Sequence, residues 1–176
     1  MVRLGAKELR TTIPSEKHLQ EIDKKRREIY FILENVLDTY NVGGIFRLAD
    51  ALCVKKIFLC GTTETPPNTR IKKASINTTE WVKWEYKESA CEAIKDLRSK
   101  VPDILIIAVE QDGKSIPYTE INYRLPIAFA VGNETEGISK KVLKLCDQIA
   151  EIPMWGVNKS LNVIISLGIV SYQLAK

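Results

Sequence analysis

Residues 126–172 read PIAFAVGNETEGISKKVLKLCDQIAEIPMWGVNKSLNVIISLGIVSY and hold two polar clusters that a packed core does not call for. The first follows an unbroken apolar run, Ile127 to Val131, short and branched enough to be a strand buried on both faces. The run ends in Gly132, Asn133, Glu134, Thr135, Glu136 and Gly137, and Ser139 is placed to cap a helix. That helix carries Ile138, Val142 and Leu145 on one face and Lys140, Lys141 and Lys144 on the other. A polar loop at the carboxyl end of a buried strand is where open α/β sheets hold their ligands. A pair of glycines also serves simple turns, so this loop alone leaves both readings open.

The second cluster is Ile152, Pro153, Met154, Trp155 and Gly156, followed by Ser160, Leu161 and Asn162, which open the last helix. One face of that helix is Leu161, Ile164, Ile165, Gly168, Ile169 and Tyr172. The opposite face is Val163, Leu167, Val170 and Leu174. A helix apolar all round must be covered on two sides. One side suits the sheet, and the other predicts a homodimer formed through this C-terminal helix.

Upstream, Tyr30 to Leu33 reads as the first strand and Glu34 to Tyr40 as a loop. A helix follows with Val42, Ile45, Phe46, Ala49 and Leu52 at buried spacing and with Arg47 and Asp50 off that stripe. Lys56 to Cys60 is a second strand. Thr62 to Arg70, with Pro66 and Pro67, reads as irregular loop, closed by Arg70, Lys72 and Lys73. Trp81 to Tyr86 has strand composition. Ala90, Ile94, Leu97 and Val101 mark a helix stopped by Pro102, and Ile104 to Val109 is another apolar strand. Strands alternating with helices predict a single α/β domain with a largely parallel sheet flanked by helices, over residues 29–176. Residues 1–28 form a polar, basic N-terminal segment in which Ser15 caps a short helix bearing Leu19 and Ile22. Its basic run, Lys24, Lys25, Arg26 and Arg27, suits either a solvated helix face or phosphate contact.

The 176 residues are 45% hydrophobic and 27% charged, with a formal net charge of +4, which suits one globular domain and is compatible with an RNA partner. No run is apolar and long enough to span a membrane, and no signal peptide is legible, so a cytoplasmic location without membrane association is expected. Cys53, Cys60, Cys91 and Cys146 form no CxxC pair, and His18 is the only histidine, so no metal site is expected. The signatures GxGxxG, GxxxxGK[ST] and GxSxG are missing, which argues against a dinucleotide fold, a P-loop enzyme and a serine hydrolase.

Taken in order, GNETEG, IPMWG and SLNV, preceded by NVGGIFRLAD from Asn41 to Asp50, resemble the three motifs of the SpoU-type (TrmH) RNA ribose methyltransferases of the SPOUT superfamily. The resemblance runs from about Ile29 to the C-terminus. It implies S-adenosylmethionine held in a C-terminal trefoil knot within about 126–176, a topology that general folding rules treat as almost absent. Gly132, Asn133 and Gly156 would let backbone approach the cofactor, groups around Ile152 and Met154 would meet its adenine, and Leu161 would supply an apolar wall. The implied catalytic set is Asn41, Arg47, Glu134, Ser160 and Asn162. The family assigns its motif-one arginine to the substrate hydroxyl as a base. A guanidinium is a poor proton acceptor, so Arg47 is read here as holding an RNA phosphate and stabilising the developing alkoxide. Asn41 is expected to fix its loop or the ribose, or to cap a helix, and Glu134 to orient Arg47 or a partner's arginine. Glu136 is expected to be merely solvated. Ser160 has an ordinary role as a helix cap, whereas Asn162, inside the first turn, has none.

Where many relatives have serine, this chain has Ile164. No separate N-terminal RNA-binding domain of the kind several relatives carry is recognisable, so Lys24 to Arg27 become expected RNA contacts. The resemblance thus implies an S-adenosylmethionine-dependent 2′-O-ribose methyltransferase of tRNA or rRNA, acting as a homodimer without a metal. Non-catalytic RNA binding on the same fold is the alternative, and the intact motif residues weigh against it.

Overall fold

A computed structural model describes residues 3–175, and the outer ends of the two expected segments, Met1 and Lys176, lie outside the described residues. Seven parallel strands form one sheet: β1 (Arg27–Glu34), β2 (Val54–Cys60), β3 (Trp84–Lys87), β4 (Leu105–Val109), β5 (Ile116–Pro117), β6 (Ile127–Val131) and β7 (Gln148–Glu151), in the order β3-β2-β1-β6-β4-β7-β5. The central strands β1 and β6 pair from Ile29 with Ile127 to Leu33 with Val131, and all ten of these side chains are buried. Both faces of a parallel sheet must be covered, which is why these strands lack polar alternation.

Side-chain alternation along β1 assigns the layers. Ile29, Phe31 and Leu33 pack with α3 (Thr39–Ala51), α4 (Thr69–Ser75) and α7 (Val163–Ser171). Tyr30 and Ile32 pack with α5 (Ala90–Lys100) and α6 (Lys140–Leu143) on the other face. The short helices α1 (Ala6–Leu9) and α2 (Glu16–Asp23) precede the sheet, and Ser15 does cap α2 through the His18 amide.

Several expectations need correction. The stretch from Thr62 to Arg70 is not all loop: Asn68 accepts from the amides of Arg70 and Ile71 and starts α4. Two apolar residues, Ile71 and Ala74, were too few to register as a helical stripe. Trp81 and Val82 are buried outside β3, which starts only at Trp84. Strands β5 and β7 are short, mixed in polarity and were not legible by periodicity. In α7, the face grouped as Val163, Leu167 and Val170 is the one buried against the core, which leaves the other face outward.

Arg26 is removed from the expected RNA contacts. The residue is 9% exposed, and its guanidinium donates to the Val54 carbonyl at 2.7 Å and to the Trp81 carbonyl. Arg27 is half-buried and donates to the Leu174 carbonyl at 3.0 Å. Lys24 and Lys25 are exposed, but they precede β1, whose eight residues rise about 3.3 Å each, so they sit roughly 25 Å from the carboxyl ends of the strands. The four cysteines are unpaired, and burial pushes the Cys60 and Cys146 thiols up to about 12, which leaves them poor nucleophiles.

Candidate active site

The carboxyl ends of β4, β6 and β7 open into a cavity of about 500 Å³. Its walls are the loop after β6, the start of the β4–β5 connection and the segment from Ile152 to Asn162 that leads into α7. The β6 loop is closed by its own backbone. Asn133 and Gly137 exchange amide–carbonyl bonds at 3.1 and 2.9 Å, and the Asn133 side chain accepts from the amides of Thr135 and Glu136. The Asn133 amide group also donates to the Asn35 carbonyl. The Asn133 side chain thus shapes the loop, and the residue also lines the cavity, where it was expected to meet a cofactor.

Gly132 is likewise needed by the chain itself. A Cβ there would lie 2.3 Å from the Gly137 carbonyl carbon, so the loop folds back through the space a side chain would take. Gly137 has φ +68 and faces the Glu110 carboxylate, which accepts from the Ile138 amide at 2.8 Å. Next to it, the Gln111 side chain donates to the Lys159 carbonyl at 2.8 Å and ties the third wall to the end of β4. Glu110 and Gln111 were missed by sequence reasoning. Two polar residues directly after a buried strand are the same signal that marked the β6 loop.

Three distant polar side chains meet at the edge of this cavity. Asn41, 5% exposed, donates to a Glu134 carboxylate oxygen at 2.8 Å and accepts from the Asn162 amide at 2.9 Å. Each amide has both a donor and an acceptor, so Asn41 joins a carboxylate on one side to an amide on the other. Asn41 is not the cap of α3, because Asp38 takes that role by accepting from the Tyr40 amide. Asn162 is the cap of α7, accepting from the Ile164 amide at 2.9 Å, so capping and the bond to Asn41 use opposite ends of one side chain. Ser160, expected as the cap, is instead an exposed residue on the cavity wall two positions earlier.

Glu134 does not orient Arg47. Its carboxylate accepts from the amides of Leu37 and Asp38, at 3.1 and 3.2 Å, and so lies at the positive N-terminal end of α3. Burial acts to raise its pKa, and the hydrogen bonds from Asn41 and from the backbone of Glu134, Leu37 and Asp38 outweigh it, so the group is held below its ordinary value of 4.5. A carboxyl lowered on folding contributes stability above its unfolded pKa and loses it as pH falls through the folded value. The wild type is therefore expected to melt above Glu134→Gln at pH 7, with the difference shrinking below the ordinary carboxyl value of 4.5. Thermal melts of both proteins across that range check this, and a constant difference down to strongly acid pH would contradict it.

Arg47 stands apart from this cluster. It is exposed on α3, six residues beyond Asn41, and does not line the cavity. Ile152, Met154 and Leu161 do line it, whereas Gly156 borders a shallower depression beside it with nothing within 4 Å of an added Cβ. Glu136, expected to be only solvated, is exposed and still contributes to the wall. With Glu110 and Glu134 it gives the cavity three carboxylates, and no lysine or arginine lines it. Such a lining suits a cationic small molecule with an apolar body. Among the described residues no cluster of His, Cys, Asp or Glu is placed to hold a metal ion, and no helix is long and apolar enough to cross a membrane.

Comparison with known proteins places these features in a family context. Residues 28–172 match the SpoU rRNA Methylase family. The tRNA (guanosine(18)-2′-O)-methyltransferase of Aquifex aeolicus is 30% identical over 162 residues, covering 89% of this chain and 74% of that enzyme. The crystal structure of the A. aeolicus TrmH/SpoU tRNA modifying enzyme superposes with a TM-score of 0.77 at 25% identity, over 90% of this chain and 81% of the other. The AdoMet-bound rRNA methyltransferase from Sinorhizobium meliloti gives a TM-score of 0.74 at 26% identity, over 94% of this chain and 58% of that one.

Proposed function

Because the chain belongs to the SpoU rRNA methylase family, we propose that it transfers a methyl group from S-adenosylmethionine to a ribose 2′-hydroxyl of tRNA or rRNA. The observation that carries this reading is the Glu134–Asn41–Asn162 network, which draws one residue from each of the three motifs to the edge of a single cavity.

The cavity suits the cofactor by size, by apolar wall and by charge. Ile152, Met154 and Leu161 provide the wall, and the three carboxylates favour the cationic sulfonium and ammonium groups. When bound, S-adenosylmethionine supplies an electrophilic methyl group. The protein's own part is then alignment and charge. Asn41 holds Glu134 and Asn162 in fixed relation, so the mouth of the cavity keeps one geometry through binding, which is the basis of orientational catalysis. Ser160 presents its hydroxyl on the same wall. Arg47 takes a phosphate of the substrate strand and stabilises negative charge growing on the 2′-oxygen. The reading includes a trefoil crossing of the chain within about 126–176, supported by the way the β6 loop and the 152–162 segment face one cavity. It also includes a homodimer through the outward side of α7, supported by the exposed Ile165 on that helix and the exposed Tyr172 just past its end.

The test is methyl transfer from labelled S-adenosylmethionine to bulk tRNA and rRNA lacking natural methylation, followed by nucleoside mass spectrometry. A 2′-O-methylated nucleoside that requires the protein establishes the reaction and identifies the RNA class. Cofactor binding without transfer to either RNA would favour a protein that only binds RNA.

A further inference from the structure

The cavity wall carries three carboxylates and no cation, yet its RNA substrate would arrive surrounded by phosphates. Cations that neutralise them must therefore come from another surface, and the N-terminal run no longer supplies a surface near the site. We propose that α4, together with Arg47, forms the phosphate-binding track that brings RNA to the cavity; this rests on the RNA methyltransferase reading above.

Helix α4 reads TRIKKAS, with three cations and no acid. Ile71 is fully buried against the core, and Arg70, Lys72 and Lys73 around it are exposed. Among the described residues none of these three, nor Arg47, makes an ion pair. Several cations elsewhere are matched, among them Lys55 with Glu28, Lys56 with Glu85, Lys83 with Asp23, Lys87 with Asp96, and Arg98 with Asp147. Four unpaired cations on two packed helices, with no acid on α4 to offset them, leave a local positive field.

The packing fixes this surface beside the site. A Cβ on Gly43 would lie 2.5 Å from the Ala74 Cβ and 2.8 Å from the Ile71 carbonyl, so the bare glycine lets α4 lie directly on α3. Arg47 follows Gly43 by four residues and shares its side of α3. Asn41, two residues before Gly43, reaches into the active-site network. One helix thus carries the network at its start and joins the basic surface one turn later. At the far end of α4, Asn77 donates to the carbonyls of Leu9 and Thr12, which brings the exposed Arg10 to the same neighbourhood. Asn68 caps α4 at its start, so the cations stand on an ordered helix rather than a loose loop. Phosphate contacts of this kind position a strand without reading its sequence.

The test replaces Arg70, Lys72 and Lys73 together with Gln in the full chain, a change that keeps helix propensity. Lys95→Gln/Lys100→Gln on α5, across the sheet, is the comparison, with two charges removed against three. Binding of undermethylated RNA is measured over a range of salt, beside cofactor binding and steady-state methyl transfer. The triple variant is expected to flatten the slope of log K against log salt by about 0.7–0.9 per lost contact, or about 2–3 in all. It should raise KM for RNA at least tenfold while cofactor affinity and kcat at saturating RNA stay within twofold of wild type. An unchanged slope and KM, or an equal loss in the α5 variant, would overturn the assignment while wild-type methyl transfer persists. If the wild type binds cofactor but neither binds nor methylates RNA, the underlying functional reading fails and the track falls with it.

Discussion

Arg47→Ala is expected to lower single-turnover methyl transfer about 10²- to 10³-fold at saturating RNA, with cofactor affinity unchanged. The magnitude is that of removing one preorganised group from a centre where negative charge develops. The geometry makes the separation clean. Arg47 is exposed, contributes nothing to the cavity wall, and follows Asn41 by six residues on α3, so its removal leaves both the cavity and the Glu134–Asn41–Asn162 network standing. Alanine also keeps the helix. Lysine at the same position restores charge but not the planar fork that grips a phosphate with two donors, so Arg47→Lys should recover only part of the loss. A fully active Arg47→Lys enzyme would contradict the proposed role. If Arg47→Ala merely raised KM, with the rate at saturating RNA intact, the residue would be one more cation of the α4 track.

Much of the fold was legible because its strands are buried on both faces. Ile127 to Val131 and Ile104 to Val109 contain no polar residue and sit between helix patterns, which is the signature of a parallel sheet. Very short strands have no such signature. Ile116–Pro117 and Gln148–Glu151 are two and four residues long and half-buried, and no periodicity marks them. Helix α4 hid behind Pro66 and Pro67, because prolines announce irregular chain but not where it ends. The motif residues came into view through resemblance, whereas their mutual bonding did not. Nothing in the local sequence says that Asn41 accepts from Asn162 across 121 positions, or that Glu134 spends its carboxylate on α3 and not on Arg47. The basic run misled for a related reason. Charge is visible in sequence, but whether Arg26 meets solvent or the carbonyls of Val54 and Trp81 is settled by tertiary packing.

Ile165→Asp is expected to convert the protein to a folded monomer and to abolish methyl transfer with it. Helix α7 has no charged residue, and its two sides differ in the structure: Val163, Leu167 and Val170 are in the core, whereas Ile165 and Tyr172 are 53% and 46% exposed. Ile164 fills the space beside Gly44 of α3, its Cδ1 standing where a Cβ would be. That contact brings the outward sides of α3 and α7 together, and α3 adds Tyr40, which is 53% exposed. Apolar side chains gathered on neighbouring helices suit the proposed pairing of two chains. In a two-fold dimer the substitution enters the interface twice, and burying an unpaired carboxylate costs several kcal/mol, so dissociation should strengthen by about a thousandfold or more. Ile165 is the informative position because it is solvent-exposed in the single chain. Asp at Val170 would place the same charge in the core and unfold the protein, which says nothing about association. Sedimentation velocity with methyl-transfer assays on the same samples decides the matter. Leu161 lines the cavity and also precedes the outward side of α7, so loss of the partner should open the cofactor wall to water. A folded Ile165→Asp monomer that still methylates RNA would show that each chain works alone, and the exposed side of α7 would then need a different partner.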